Sequence, residues 1–425
     1  MIMAMMKSSN TEWLGDIPAE WDVAQIGNYY ELRNEKVSDY DFEPLSVTMK
    51  GIVPQLATAA KSDDHSNRKL VKKGDFVINS RSDRRGSCGI SPLDGSVSLI
   101  NIVMEPRGEM NPQYYNWLFH TEQFADEFYK WGHGIVDDLW TTRWQEMKKI
   151  LIVAPSPDEQ QAIADYLDET CSKIDEIIAE AKASIDEYKE LKQSVIFEAV
   201  TKGLDKNVEM KDSGVEWIGE IPVDWNIAKI NRVAWTTSGA TPLRSKETEY
   251  YDNAVIRWVR TLDLNNGHVT DSSEKITETA LKNSSCSIMP VKTVCVAMYG
   301  GSGTIGKSGI LEVECATNQA ICSIVSDKKV LNPDYLHYVI MAVRKYWMKH
   351  AVGTRKDPNI NQQIIAQMRI PIPQLSKQDI IVNHLDKVTD KCDSLISEKE
   401  SLINDLEAYK KSLIYEVVTG KRRVV

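Results

Sequence analysis

The sequence predicts an α+β chain: two mixed α/β domains joined by two long antiparallel coiled-coil helices, with an internal pseudo-two-fold repeat. Three observations lead there: an entrance segment written twice, a helical segment written twice, and two unlike stretches of chain set between them. Glu12-Trp-Leu-Gly-Asp-Ile-Pro-Ala-Glu-Trp-Asp-Val-Ala-Gln-Ile26 returns as Glu216-Trp-Ile-Gly-Glu-Ile-Pro-Val-Asp-Trp-Asn-Ile-Ala-Lys-Ile230, identical at eight of fifteen positions. Residues 152–201 return without gaps as 370–419. The offsets are 204 and 218, so the second intervening stretch is 14 residues longer than the first. The implied organisation is a first domain over 1–155, a central helix over 156–203, a second domain over 204–373 and a C-terminal helix over 374–425.

Each entrance carries a tryptophan pair, Trp13/Trp21 and Trp217/Trp225, expected to pack where the insert meets its helix rather than to stack on bases. Within the inserts, 75–79, 256–259 and 293–298 read as strands between Gly-rich turns. Asn111-Pro112-Gln113-Tyr114 and Asn332-Pro333-Asp334-Tyr335 read as helix starts, with Asn as cap and Pro in the first turn. The repeated helix opens on Ser156-Pro157-Asp158-Glu159, a capping box, and Gly203 and Gly420 stand just past the two ends. Apolar residues at alternating steps of three and four mark a seam: Leu167, Ile174, Tyr188 and Leu191 in the first copy, Leu385, Leu395, Leu402, Leu406, Tyr409 and Leu413 in the second. Lys399 is the polar interruption. Some 40 residues of helix make a rod of about 60 Å, long enough to hold two domains apart.

With 425 residues, 42% hydrophobic and 26% charged, the chain can fill two or three cores and is neither disordered nor fibrous. No apolar run approaches a membrane span and the Met-rich start is too short for a signal-peptide core, so a cytoplasmic protein is expected. Seven scattered cysteines without a C-x-x-C pair argue for reduced, buried thiols and against structural zinc. The net charge of −10 is a property of the helices, which carry 12 acids against 5 bases (156–202) and 9 against 6 (374–419). The first insert (27–151) is nearly balanced, and the second (231–369) has 17 bases against 12 acids. Local basic groups in the inserts are therefore candidate phosphate contacts: Arg81, Arg84, Arg85 and Arg143 in the first, Arg244, Lys307, Arg355 and Lys356 in the second.

Two motifs point toward catalysis. Gly301-Ser-Gly-Thr-Ile-Gly306-Lys307-Ser308 fits the phosphate-loop pattern, but the residues after it read as β-like where a nucleotide site needs a helix. The Asn-Pro-x-Tyr pairs lack the second proline of the adenine-methyltransferase signature, and no glycine-rich cofactor fingerprint accompanies them. No His or Cys spacing suits a metal, and no nucleophile–base constellation emerges, so no catalytic or metal-binding residue is expected. The competing readings are a nucleotide hydrolase using 301–308, a stand-alone DNA methyltransferase, and a coiled-coil adaptor for protein partners.

Taken together, these residues resemble the specificity subunit of type I restriction–modification systems. The resemblance spans nearly the whole chain. It rests on the doubled Glu-Trp-x-Gly-x-Ile-Pro-x-x-Trp entrance, the Ile370-Pro-Ile-Pro373 lead-in, and the helix starts Glu159-Gln160-Gln161 and Lys377-Gln378-Asp379. Thr237-Ser-Gly-Ala-Thr-Pro242, Thr317-Asn-Gln-Ala320, the 301–308 loop and Asn361-Gln362-Gln363 add to it. Departures are modest: the first lead-in reads Ile152-Val-Ala-Pro155, and Ala240 stands where Gly is common. The resemblance implies two target-recognition domains reading an asymmetric bipartite site on double-stranded DNA, with the helices fixing the spacer. It also implies two modification subunits and the restriction subunits as partners. S-adenosylmethionine, ATP and Mg would belong to those partners, and this chain would bind no cofactor.

Overall fold

The computed structural model describes residues 5–58, 65–81, 84–134, 140–300, 303–351 and 359–424, with backbone alone at 348–351. By contact the chain divides into two units, Met1–Lys182 with Glu400–Val425, and Ala183–Lys399. The central helix, Pro157–Lys202, and the C-terminal helix, Leu375–Val418, are each shared between the units. Each unit thus owns the first half of one long helix and the second half of the other, which is how a sequential repeat becomes an antiparallel pairing inside each unit.

The repeated segments fold alike. Ser156 and Glu159 form the expected capping box, Ser156 Oγ accepting the Glu159 N–H (3.4 Å) and Glu159 Oε2 the Ser156 N–H (3.3 Å). In the first unit Met6–Ser8 pairs with Asp16–Pro18, and in the second Met210–Asp212 pairs with Glu220–Pro222. The insert is then closed at its neck by its own first and last strands: Asp22–Gln25 against Leu151–Ala154, and Asn226–Lys229 against Arg369–Ile372. All four entrance tryptophans are buried, as packing requires. Gly203 and Gly420, with φ of 77° and 72°, end the helices in the left-handed region, where glycine carries no Cβ penalty. A Cβ on Gly203 would press on Trp225 (3.2 Å), and one on Gly420 would overlap Pro18 and crowd Trp21 (3.0 Å). Each entrance therefore clasps the finish of a long helix.

The inserts differ. The first builds an antiparallel sheet in the order Cys88–Ile90, Phe76–Asn79, Asn101–Pro106, Tyr30–Leu32, a second sheet of Gly95–Ser98, Arg68–Val71 and Lys36–Val37, and a hairpin of Leu45–Thr48 and Gly51–Pro54. Val71, Val77, Val97 and Val103 fill the space between. A file of rings, Phe76, Phe119, Phe124 and Phe128, joins the sheet to the helices Pro112–Phe119 and Glu122–Lys130. The second insert has a five-stranded sheet ordered Ala234–Ser238, Ile321–Ser326, Val294–Ala297, Ser308–Leu311, Gly267–Val269, whose last pair is parallel. A four-stranded sheet beside it also contains a parallel pair, Trp258 opposite Ala316. The strands expected at 75–79, 256–259 and 293–298 are present as Phe76–Asn79, Ile256–Val259 and Val294–Ala297. All seven cysteines are free and buried.

The helical seam needs a correction. Leu167, Ile174, Leu385 and Leu413 are buried and Tyr188, Leu395 and Leu406 half-buried, as the heptads required. Leu191 (50% exposed), Leu402 (38%) and Tyr409 (45%) instead face out. In every second layer the next residue along is covered instead or as well: Ile178, Ile185 and Ile403 are buried, and Lys192, Ile396 and Lys410 half-buried. Adjacent apolar pairs such as Leu402/Ile403 leave the choice open in the sequence, and two lysines settle it. Lys192 Nζ reaches Asp393 (2.6 and 2.8 Å), and Lys410 Nζ reaches Asp175 (2.7 Å). Their methylene stems cover the seam while the ammonium groups stay paired at its rim. A reading that assigns seam positions to apolar residues takes Leu191 and Tyr409 in their place.

Candidate nucleic-acid interface

Beneath each insert lies one set of bonds, made twice. Asn111 caps the helix Pro112–Phe119, its Oδ1 accepting from the N–H groups of Gln113 and Tyr114 (2.8 and 3.2 Å). Its own N–H donates to Gln160 Oε1 and its Nδ2 to Gln161 Oε1, both 2.8 Å. The Tyr114 hydroxyl donates to the Val418 carbonyl (2.7 Å). In the second unit Asn332 accepts from Asp334 and Tyr335, and donates to Gln378 Oε1 and Asp379 Oδ1 (both 2.8 Å). The Tyr335 hydroxyl donates to the Val200 carbonyl (3.2 Å). Trp117 Nε1 to Asp168 (2.8 Å) and the Tyr338 hydroxyl to Asp386 (2.6 Å) complete the two sets.

The acceptors Gln160 and Gln378, Asp168 and Asp386, and Val200 and Val418 are all related by the 218-residue offset. The Asn-Pro-x-Tyr motifs are therefore latches, fastening each insert to the start of one long helix and the finish of the other. Their polar atoms are committed and both tyrosines are wholly buried, which drives their hydroxyl pKa values well above the ordinary range. They leave nothing to hold a flipped base.

In the first unit the backbone gathers all four expected arginines. The Arg84 N–H donates to the Arg81 carbonyl (3.2 Å), and Arg85 follows. Arg81 bridges Thr141, and the Thr142 N–H donates to the Ser80 carbonyl (3.0 Å), which brings Arg143 alongside. Arg85 is paired with Asp126, while Arg143 is exposed. The tip of the hairpin, Met49-Lys50, stands against this loop: a Cβ on Gly86 would touch Met49 Cε at 4.0 Å. Sequence reasoning missed these two residues. Their one signal is the tight turn itself, where methionine has no conformational role.

In the second unit Arg244 and Lys307 sit beside different sheets. The Arg244 guanidinium grips Glu274 (Nη2 to Oε2, 2.7 Å) and lies over the rings of Tyr251 (4.3 Å) and Trp258 (5.6 Å). Arg260 joins the same carboxylate at 2.9 Å. The hydrogen bond from Arg244 holds the Glu274 pKa below its ordinary value despite partial burial. Lys307 is half-buried at a turn that Arg344 braces from below, donating to the carbonyls of Ile305 (3.1 Å) and Gly303 (2.6 Å). The strand Ser308–Leu311 comes directly after this turn, so the phosphate-loop pattern lacks the helix a nucleotide site uses. Gly239 packs so tightly on the Thr317 carbonyl that any Cβ would overlap it, and Thr241 bonds to Gln319, joining the 237–242 loop to the 317–320 turn. Arg355 and Lys356 lie outside the described residues. Among the described residues no acidic, His or Cys group could hold a metal ion, and no helix is long and apolar enough to cross a membrane.

Two sheet domains of different topology, each latched to its own stretch of a repeated helical segment, define a recognition protein whose acidic surplus lies on the helices. The model of the type I restriction modification DNA specificity domain matches residues 222–405. The MjaVIII type I restriction enzyme specificity subunit of Methanocaldococcus jannaschii is 24% identical over 451 residues, covering 100% of this chain and 98% of its own. The EcoR124I/EcoR124II specificity subunit of Escherichia coli is 25% identical, covering 71% and 68%. The fold matches a chain from a structure of the type I R-M system, concerned with complex assembly and conformational transition, at a TM-score of 0.75 (14% identity; 96% and 99% covered). It also matches the HsdS subunit from Thermoanaerobacter tengcongensis at 0.54 (15% identity; 96% and 98% covered). Over its whole length the chain is similar to the specificity subunits of type I restriction–modification systems, and its residues 222–405 match the DNA specificity domain of that family, which recognises DNA targets and is not itself catalytic.

Proposed function

We propose that the chain reads a gapped, two-part site on double-stranded DNA, one half by each insert. The observation that carries this is the doubled latch: matching fastenings hold two inserts whose sheets differ, so the frame is constant and the reading surfaces are not. In this reading the two recognition domains span 1–155 and 204–373, and the helices at 156–203 and 374–425 fix the spacer. Arg81, Arg84, Arg85, Arg143, Arg244 and Lys307 contact phosphate or base edges. Two modification subunits dock on the helical frame, and restriction subunits join them in the cytoplasm. Those partners, not this chain, carry S-adenosylmethionine, ATP and Mg.

The test is selection of a random duplex library by the chain assembled with its modification subunit. Recovery of one gapped motif supports the reading; a verified assembly that enriches nothing at low or moderate salt overturns it.

A further inference from the structure

The tip of the Leu45–Thr48/Gly51–Pro54 hairpin is built more rigidly than an exposed turn needs to be. Thr48 Oγ1 donates to the Gly51 carbonyl (2.8 Å) and accepts the Lys50 N–H (3.1 Å), closing the turn on itself. Gly51 has φ 104°, and Gly89 on the neighbouring strand approaches so closely that a Cβ there would lie 2.8 Å from the Gly51 Cα. Backbone thus rests on backbone, and the tip has no side-chain cushion through which to shift. On this mount Met49 stands 71% exposed, with Lys50 beside it and the loop of Arg84 and Arg85 against it. Neither central position of the turn asks for methionine, which has no turn preference, and water is a poor solvent for it.

An apolar side chain held out rigidly among cations matches one feature of duplex DNA. The major groove admits a two-stranded β-ribbon, its rims are phosphate, and its one apolar group is the C5 methyl of thymine. We infer that Met49 is a specificity-determining residue of the first domain, contacting the methyl group of a thymine in its half-site while Lys50 and Arg84 hold the flanking phosphates. This rests on the reading of the chain as a DNA-specificity subunit.

The experiment uses the full chain assembled with its modification subunit and the motif that assembly selects. Each thymine of the motif is replaced in turn by deoxyuridine, which lacks only the methyl group, and affinities are measured for the native chain and for Met49→Ala. Expected is a loss of about 10-fold with deoxyuridine at one position of one half-site, a similar loss for Met49→Ala on the native motif, and no further loss when the two are combined. Arg84→Ala should weaken binding uniformly and reduce the salt slope by about 1. If native binding is indifferent to deoxyuridine everywhere, or Met49→Ala weakens every sequence equally, Met49 reads no thymine although the subunit reads DNA. If the native assembly selects no motif, the broader reading has failed instead. Unchanged thermal unfolding of Met49→Ala separates a lost contact from a lost fold.

Discussion

The two units meet one mechanical problem with the same bonds and a different problem with different sheets. Where an insert must be held in fixed register on a helix, both use Asn to Gln, Tyr to a Val carbonyl, an aromatic donor to Asp, and a tryptophan over a terminal glycine. Where the insert faces outward, one has an antiparallel sheet with a hairpin and an arginine edge, the other mixed sheets whose arginines share Glu274. The comparison shows which parts of the molecule can vary independently: the latches depend on position along the helix, and the sheets do not. Where matched positions are not quite alike, the difference can be measured.

The largest contrast is at the helix finishes. Both glycines have positive φ, but a Cβ at 420 overlaps a proline ring whereas one at 203 presses on the edge of an indole and meets its proline, Pro222, at an ordinary 3.9 Å. Gly420→Ala should cost about 3 kcal/mol and Gly203→Ala about 1–2 kcal/mol, read from denaturant unfolding; equal costs would mean the two clasps are equally tight. A second contrast lies one turn inside the latch helices, where Asn116 in the first unit corresponds to His337 in the second. Burial, aided by the positive charges of His268, Lys292 and Lys192, lowers the His337 pKa from 6.5 to about 3, and its Nε2 has no hydrogen-bond partner among the described residues. The folded state therefore holds it neutral while the unfolded chain protonates it, so its contribution is complete above about pH 6.5 and declines as pH falls. Between pH 7 and 5 this residue should remove about 2 kcal/mol of stability, and His337→Asn should remove that pH dependence, leaving the second unit as insensitive at this position as the first.

Smaller effects test the likeness itself. Asn111→Ala and Asn332→Ala should each cost about 1 kcal/mol through the lost cap, with values close to one another; a large disparity would show that one latch bears more of the register than the other. Smallest are Lys192→Met and Lys410→Met, each removing one of two matched ion pairs with half-exposed aspartates. Their cost should stay below about 1 kcal/mol and shrink in high salt, checked by melting at two ionic strengths.

How much of the molecule is legible in its sequence depends on whether a signal repeats. The frame, its helices, caps and terminal glycines can be read because each appears twice at one offset. The Gln and Asp acceptors repeat too, but their role is hidden because their donors lie some 50 residues away in sequence, inside the inserts. Leu191 and Tyr409 are misplaced because a seam lysine looks polar until its partner is seen, and Leu402 because Ile403 beside it is equally apolar. The four arginines of the first insert stand out as residues, but it takes the Arg81–Thr141 bridge and the Ser80–Thr142 bond to show that Arg143 belongs with Arg81. Met49 carries no sequence signal beyond being an odd choice for a turn.

The division of both long helices between the units also has a consequence for synthesis. The first unit opens the chain, yet its latch needs the Val418 carbonyl, and its entrance is bonded by Lys421 and Arg423 to Leu14, Asp16 and Glu20. A ribosome making roughly 5–20 residues per second must work for some 10–50 s beyond Lys182 before those residues exist. The second unit, contiguous from Ala183 to Lys399, has every contact it needs before then. The half made first is finished last, and a chain ended short of Val418 would hold a complete second unit and a first one whose latch has lost its acceptor.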